Sequence, residues 1–181
     1  STGTTLGLAP SSGATEIGVL RLRHASASRG TLMLSSGAIA NRIINTAGGV
    51  NTHITMKIAN GAAANAALSL RLGLINGDNA TDGATDGLYF RASGTGNWFA
   101  VNRAGGVETA TATDCSVAQS TSYKTFEILI NAAASSVVYK IDGTVCATHT
   151  ANIPASSVIL SPFFKVDGDS TIRDMYIDRF V

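Results

Sequence analysis

The chain has 181 residues, a formal net charge of +1 and a charged fraction of 14%, well below the usual quarter. This length predicts one domain with a sizeable core. The balanced charge disfavours nucleic acid or an anionic membrane as a partner, and no apolar run approaches the roughly 20 residues that cross a bilayer as a helix. Small polar residues replace the missing charges, which suits a protein held in an assembly.

Residues 1–15 show little periodicity and are predicted to form an extended N-terminal arm, with residues 16–181 as a single domain. Beyond the arm, apolar and polar residues alternate with a period of two, the pattern of a strand with one buried face. Arg71, which lies within the clearest run, is predicted to point outside. The apolar residues of these runs are Leu20, Leu22, Ile54, Met56, Ile58, Leu68, Leu70, Leu72, Leu74, Phe126, Ile128 and Ile130.

Turn sequences separate the runs. Asp142-Gly143 is the signature of a two-residue hairpin in which both central residues take positive φ, and Gly105-Gly106 joins two other runs similarly. Residues 77–87 form a longer loop rich in Asp and Gly. Because residues 86–150 leave no interval long enough for a helix, the prediction is an all-β, antiparallel two-sheet jelly-roll sandwich of about 10–12 strands.

The chain contains two cysteines, Cys115 and Cys146. Their spacing forms no metal-ligand motif, either with each other or with the histidines. Two alternatives stay open at this point: a pair of buried thiols, or a disulfide between neighbouring strands.

The loop at residues 77–87 contains the candidate metal ligands. Asp78, Asp82 and Asp86 recur every fourth residue, and a hard cation such as calcium binds several oxygens of this kind. The loop does not fit an EF-hand, and Asp-Gly pairs are also ordinary turn formers. The expectation is that the protein needs no cofactor, with calcium at this loop as the open alternative.

Patterns of catalytic residues are weak. A glycosidase on such a sandwich needs two carboxylates that converge across one sheet. Glu16, Glu108 and Glu127 lie on separate elements without the required spacing, and Glu127 is predicted to be an outward, solvated sheet residue. No Gly-x-Ser-x-Gly elbow accompanies the histidines. The chain is therefore predicted not to be an enzyme.

A sugar-binding site is one hypothesis for the function of this chain. Trp98, the only tryptophan, follows Asn97, and sugar sites commonly combine an aromatic platform with polar neighbours. Tyr89 and Arg91 on a neighbouring strand are predicted to share a face with Trp98. The competing prediction places Trp98 in the core or at its rim.

The series of hairpins resembles the concanavalin-A-like, laminin-G-like jelly rolls of bacteriophage virion proteins. Three stretches carry the resemblance: DGLYFR from Asp86, NWFAVNRAGGVET from Asn97, and the segment from Tyr123 to Pro154 that contains VVYKIDGTVCATHT. EIGVLRLR near the start and DMYIDRF near the end look like the first and last strands of that fold, which would pair.

The resemblance implies a non-enzymatic virion protein on the outside of the particle, a capsid decoration or accessory protein that contacts other virion proteins. The alternative is a carbohydrate-binding module or tail receptor-binding domain that recognises host surface glycans. Thr109, Thr111 and Thr113 alternate with alanines, and residues 60–68 are rich in alanine. Such flat, small-residue surfaces suit subunit contacts, so a homo-oligomer, for example a trimer, is predicted.

Overall fold

The structure is a computed structural model that describes residues 5–8, 19–24, 29–33, 44–59, 69–77, 85–93, 96–108, 113–167 and 173–180. Every regular element in these ranges is a β-strand. A helix long and apolar enough to span a membrane is not found among them. The strands are β1 Thr5–Leu8, β2 Leu20–His24, β3 Arg29–Met33, β4 Ile44–Asn45, β5 Val50–Ala59, β6 Ser69–Ile75, β7 Gly87–Ser93, β8 Asn97–Ala104, β9 Val107–Glu108, β10 Thr113–Ala118, β11 Lys124–Ile130, β12 Val137–Ile141, β13 Thr144–His149, β14 Ile159–Asp167 and β15 Arg173–Phe180.

The strands form two antiparallel sheets that enclose one core. The seven-stranded sheet has the order β1-β2-β15-β5-β11-β12-β13. The eight-stranded sheet has the order β10-β8-β7-β6-β14-β3, with β4 beside β14 and β9 beside β8. The predicted all-β sandwich is confirmed, and β2 pairs with β15 as expected for its first and last strands.

The described residues form fifteen strands, more than the predicted number. One of the additional strands, β1, lies within the stretch that was predicted to be an arm, where Leu6 and Leu8 pair in register with Leu22 and Leu20. Another, β4, has two residues, too few for an alternating pattern to appear in sequence, whereas β9 lies at the start of the run predicted after the Gly105-Gly106 turn. The division of the chain at residue 15 stays a prediction.

The core lies between the sheets and follows the predicted alternation. Phe90 of β7 contacts Phe126 of β11 and Tyr139 of β12 at ring-centroid distances of 5.1 and 5.2 Å, so aromatic rings join the two layers. Leu68 and the side chain of Ile58 lie outside the described residues. The predicted inward residues that are buried are Leu22, Ile54, Met56, Leu70, Leu72, Leu74, Phe126, Ile128 and Ile130.

The two predicted tight turns are confirmed. Asp142 and Gly143 join β12 to β13 with φ values of 51° and 78°. Gly105 and Gly106 join β8 to β9 with φ values of 59° and 83°. Both central residues of each turn take positive φ, the geometry that matches the twist of the flanking strands.

Cys115 of β10 and Cys146 of β13 form a disulfide, the second of the two alternatives that the sequence left open. β10 is an edge strand of the eight-stranded sheet and β13 is an edge strand of the seven-stranded sheet. The bond therefore joins the two layers covalently along one side of the sandwich.

A polar contact also crosses the core and fixes β8 over β12. The Tyr139 hydroxyl lies 2.7 Å from Asn102 Oδ1 and 2.8 Å from the Val101 carbonyl. Burial raises the pKa of this hydroxyl well above its usual value, so it stays a donor. Asn102 in turn donates to the Ala151 carbonyl at 2.8 Å. With Asn102 held inward, strand alternation turns Val101 and Arg103 to the outer face.

Candidate functional site

The outer face of the eight-stranded sheet carries a second hydrophobic cluster. Ile75, Tyr89, Val101 and Phe163 are each 3% exposed or less, and Phe99 packs against them. Arg71 points to this face, as its alternation predicted, but it is only 8% exposed. Its guanidinium lies 5.6 Å from the centroid of the Tyr89 ring. The arginine is buried because this outer face is itself packed.

Cross-strand register places three cations side by side on this face. Lys165 of β14 pairs with Arg71 of β6, which pairs with Arg91 of β7. Neighbouring strands lie about 4.8 Å apart and directly opposed residues share a face, so the three side chains occupy about 10 Å of sheet. Phe99 of β8 continues the row beyond Arg91. We call Lys165, Arg71 and Arg91 the cationic row.

Glu108 of β9 accepts hydrogen bonds from three side chains beside this row. The Tyr89 hydroxyl donates to Oε1 at 2.7 Å, and Arg91 Nη1 donates to Oε2 at 2.8 Å. Arg103 Nη1 lies 3.5 Å from Oε1. The side chains of Arg91, Arg103 and Glu108 are 35%, 20% and 24% exposed, so a ligand can reach all three. We call Tyr89, Arg91, Arg103 and Glu108 the outer-face network.

Tyr89 acts as a fixed donor in the network. Burial, together with the hydrogen bond to Glu108, raises the pKa of its hydroxyl to about 12, so the phenol keeps its proton at neutral pH. Across the sheet, Gly73 lies in register with both Tyr89 and Phe163. A Cβ on Gly73 would lie 2.5 Å from the Leu88 carbonyl oxygen and 2.9 Å from the Tyr89 Cβ. The close approach of β7 to β6 at Tyr89 therefore requires glycine.

The structure brings together only part of the sugar site predicted from sequence. Tyr89 and Arg91 share the outer face, whereas Trp98 is 1% exposed in the core and contacts Phe126 at a centroid distance of 4.8 Å. The predicted shared face of Trp98 with Tyr89 and Arg91 is therefore wrong, because alternation along β8 turns Trp98 inward. Asn97, at the start of β8, donates to Asp114 of the edge strand β10 at 3.2 Å.

Arg103 and Glu108 were not predicted to belong to a site. In the sequence, Glu108 stands out only as a candidate for one half of a catalytic carboxylate pair. The signal was nevertheless present, because the Gly105-Gly106 turn places Arg103 directly opposite Glu108 in the hairpin, and opposed residues share a face.

Of the predicted calcium ligands, Asp86 lies in the described part of the chain, whereas Asp78 and Asp82 lie outside it. Asp86 accepts hydrogen bonds from Asn76 Nδ2 at 2.9 Å and from the Gly105 amide at 3.0 Å. It thereby ties the start of β7 to the Gly105-Gly106 turn that precedes Glu108. Among the described residues, no group of three or more acidic, His or Cys residues has the geometry of a metal site. Calcium at residues 77–87 stays a prediction.

Glu127 points outward as predicted, but it lies on the outer face of the seven-stranded sheet. It pairs in register with His53 and Lys140, and its carboxylate lies 3.1 Å from His53 Nδ1 with the Glu127 side chain 13% exposed. It is therefore more covered than the predicted solvated residue. Because Glu127 and Glu108 lie on the opposite outer faces of the sandwich, they do not converge on one substrate. Glu16, Thr109, Thr111 and residues 60–68 lie outside the described residues.

The sequence itself matches a known family. Residues 15–178 match the family described as SO2946-like, C-terminal domain. The chain belongs to this family. No curated protein matches this chain in sequence.

Solved structures share the jelly-roll fold of the SO2946-like domain. The carbohydrate recognition domain of Emp47p superposes with a TM-score of 0.71 at 14% identity, covering 98% of this chain and 85% of that one. A carbohydrate esterase from the Shiga toxin-encoding bacteriophage phi24B gives 0.58 at 15% identity, covering 99% and 86%. A sialidase gives 0.59 at 9% identity, covering 90% of this chain. The SO2946-like domain spans only 15% of that sialidase chain.

Proposed function

We propose that this chain is a non-enzymatic carbohydrate-binding module whose ligand contacts the outer-face network. The observation that carries the proposal is the partly exposed set of Arg91, Arg103 and Glu108, held in one arrangement by hydrogen bonds. Sugar hydroxyls both donate and accept, and this set offers guanidinium donors next to a carboxylate acceptor. Groups that are already fixed lose little conformational entropy when a ligand binds.

The composition of the network argues against hydrolysis as its task. Most glycoside hydrolases use two carboxyl groups, one as the acid and the other as the nucleophile or base. The network of described residues contains one carboxylate, and its two oxygens already accept from Tyr89, Arg91 and Arg103. The fold shared with the carbohydrate recognition domain of Emp47p supports sugar binding rather than hydrolysis as the role of the network.

A glycan array tests this function. The folded wild-type domain is expected to bind a defined subset of glycans, and Arg91→Ala is expected to weaken binding about 10- to 100-fold, the loss of one charge-assisted hydrogen bond of about 1.5–3 kcal/mol. Lys140→Ala is the matched control, because it removes one cation from the outer face of the other sheet. Failure of the folded wild-type domain to bind any glycan would refute the proposal.

We propose, as a second function, a structural role on the outside of a bacteriophage particle, as a capsid decoration or accessory protein or as part of a tail. The sequence resemblance of the hairpin series supports this role, as does the fold shared with an esterase from a bacteriophage. The Cys115–Cys146 disulfide suits a protein exposed to oxidising surroundings. Its partners would be virion proteins and further copies of the chain, through contacts of about 1,200–2,000 Å² each.

Density-gradient fractions of intact particles test the virion role. An antibody against the domain is expected to detect it in the particle band at a fixed stoichiometry, and light scattering is expected to show an oligomer of the isolated protein. A domain that stays at the top of the gradient would contradict the virion role, while leaving glycan binding to be judged by the array.

A further inference from the structure

Cations cluster on the outer face of the eight-stranded sheet, and the same register continues through Phe99 to an exposed carboxylate, Asp114 of β10. The cationic row puts Arg71 between two other cations in directly opposed positions. Arg103 adds a fourth cation in the adjacent hairpin, where it shares Glu108 with Arg91. One carboxylate between two guanidinium groups leaves this end of the network net positive.

The positive charge becomes accessible at one end of the row. Lys165 is 1% exposed and Arg71 is 8% exposed, so neither presents its charge directly to solvent. Arg91 and Arg103 are 35% and 20% exposed at their side chains. A ligand therefore meets the positive charge at Arg91 and Arg103.

Arg71 and Lys165 already interact with other groups of the protein, so the attraction available to a ligand comes from Arg91 and Arg103. Around Glu108, two guanidinium groups face one carboxylate. The exposed Asp114 lies two strand spacings, roughly 10 Å, from Arg91, a distance at which exposed charges are largely screened at physiological ionic strength.

We infer that the saccharide bound by the outer-face network carries an acidic group, a carboxylate or a sulfate, that contacts Arg91 and Arg103. This inference rests on the proposed glycan-binding function and specifies its ligand. The planar guanidinium fork matches the paired oxygens of a carboxylate or sulfate. Glu108 holds the guanidinium groups of both arginines at the surface, and its single negative charge does not neutralise their two positive charges. A neutral sugar would use the same hydrogen bonds without the favourable charge.

The test is a glycan array on which each sialylated, uronic-acid or sulfated glycan stands beside its neutral core, followed by calorimetry with the strongest pair. Sialyllactose with lactose, and 6-sulfated N-acetyllactosamine with its unsulfated form, are two such pairs. The acidic member is expected to bind at least about tenfold more tightly than its neutral core. Its affinity is expected to fall severalfold between about 50 and 300 mM salt because exposed charges are screened.

Two variants and one control assign the effect to the arginines. Arg91→Gln and Arg103→Gln are each expected to reduce affinity for the acidic glycan about tenfold or more, while Lys140→Gln leaves it unchanged; near-ultraviolet circular dichroism confirms that each is folded. Equal binding of acidic and neutral glycans, or acidic binding indifferent to both arginine variants, would overturn the inference and leave glycan binding intact. An array without any bound glycan would overturn both.

Discussion

Replacing Gly73 with alanine is expected to lower the free energy of unfolding by roughly 3–6 kcal/mol, from overpacking and backbone strain combined. The new Cβ would lie 2.5 Å from the Leu88 carbonyl oxygen and 2.7 Å from the Tyr89 Cα. Both are backbone atoms of β7, so the strand itself would have to move. Gly73 also has a φ of 147°, which side-chain-bearing residues rarely adopt. The loss is comparable with the whole stability of many domains.

Gly143→Ala is the matched control for this substitution. Gly143 also has a positive φ, of 78°, but a Cβ there meets nothing within 4 Å, so only the conformational cost of about 1–2 kcal/mol for a left-handed alanine remains. Urea denaturation followed by tryptophan fluorescence compares the two variants through the buried Trp98. If Gly73→Ala is no less stable than Gly143→Ala, the close approach of β6 and β7 at Tyr89 is not required for folding.

The sequence was sufficient to predict the layers because alternation is a local property. Leu70, Leu72 and Leu74 are separated by single residues, and every second position of a strand faces the same way. The same rule correctly predicted that Arg71 points outward. Alternation did not predict that Arg71 is buried, because its burial depends on Tyr89 and Phe163, which pack on the outer face from other strands. Burial on that face is therefore a tertiary property.

The site was harder to predict for the same reason. The contact between Arg103 and Glu108 follows from a two-residue turn and was available from the sequence. The contact between Arg91 and Glu108 crosses from β7 over β8 to β9, and it needs the order of strands in the sheet. For Trp98 the sequence supported two predictions: its position beside a loop suggested a sugar platform, but the competing prediction of a core position is the correct one, because its strand phase turns it inward.

Removing the disulfide through Cys115→Ala combined with Cys146→Ala is expected to reduce the free energy of unfolding by roughly 3–4 kcal/mol. The bond closes a chain segment with a sequence separation of 31, and the entropy lost by the unfolded chain sets this magnitude. The melting temperature is expected to fall by roughly 7–15 °C for a domain of this size. The edges of the two sheets at β10 and β13 are expected to separate first, since the bond joins them there.

Calorimetric melting with and without reductant separates the effect of losing the disulfide from the effect of the two alanine substitutions. Reduced wild-type protein is expected to melt close to the double variant, while the variant itself should not respond to reductant. Glycan affinity well below the transition should be unchanged, because Arg91 and Arg103 lie on β7 and β8, inside the edge strand that the disulfide holds. A double variant that melts within about 2 °C of the oxidised wild type would mean that non-covalent packing alone fixes that edge.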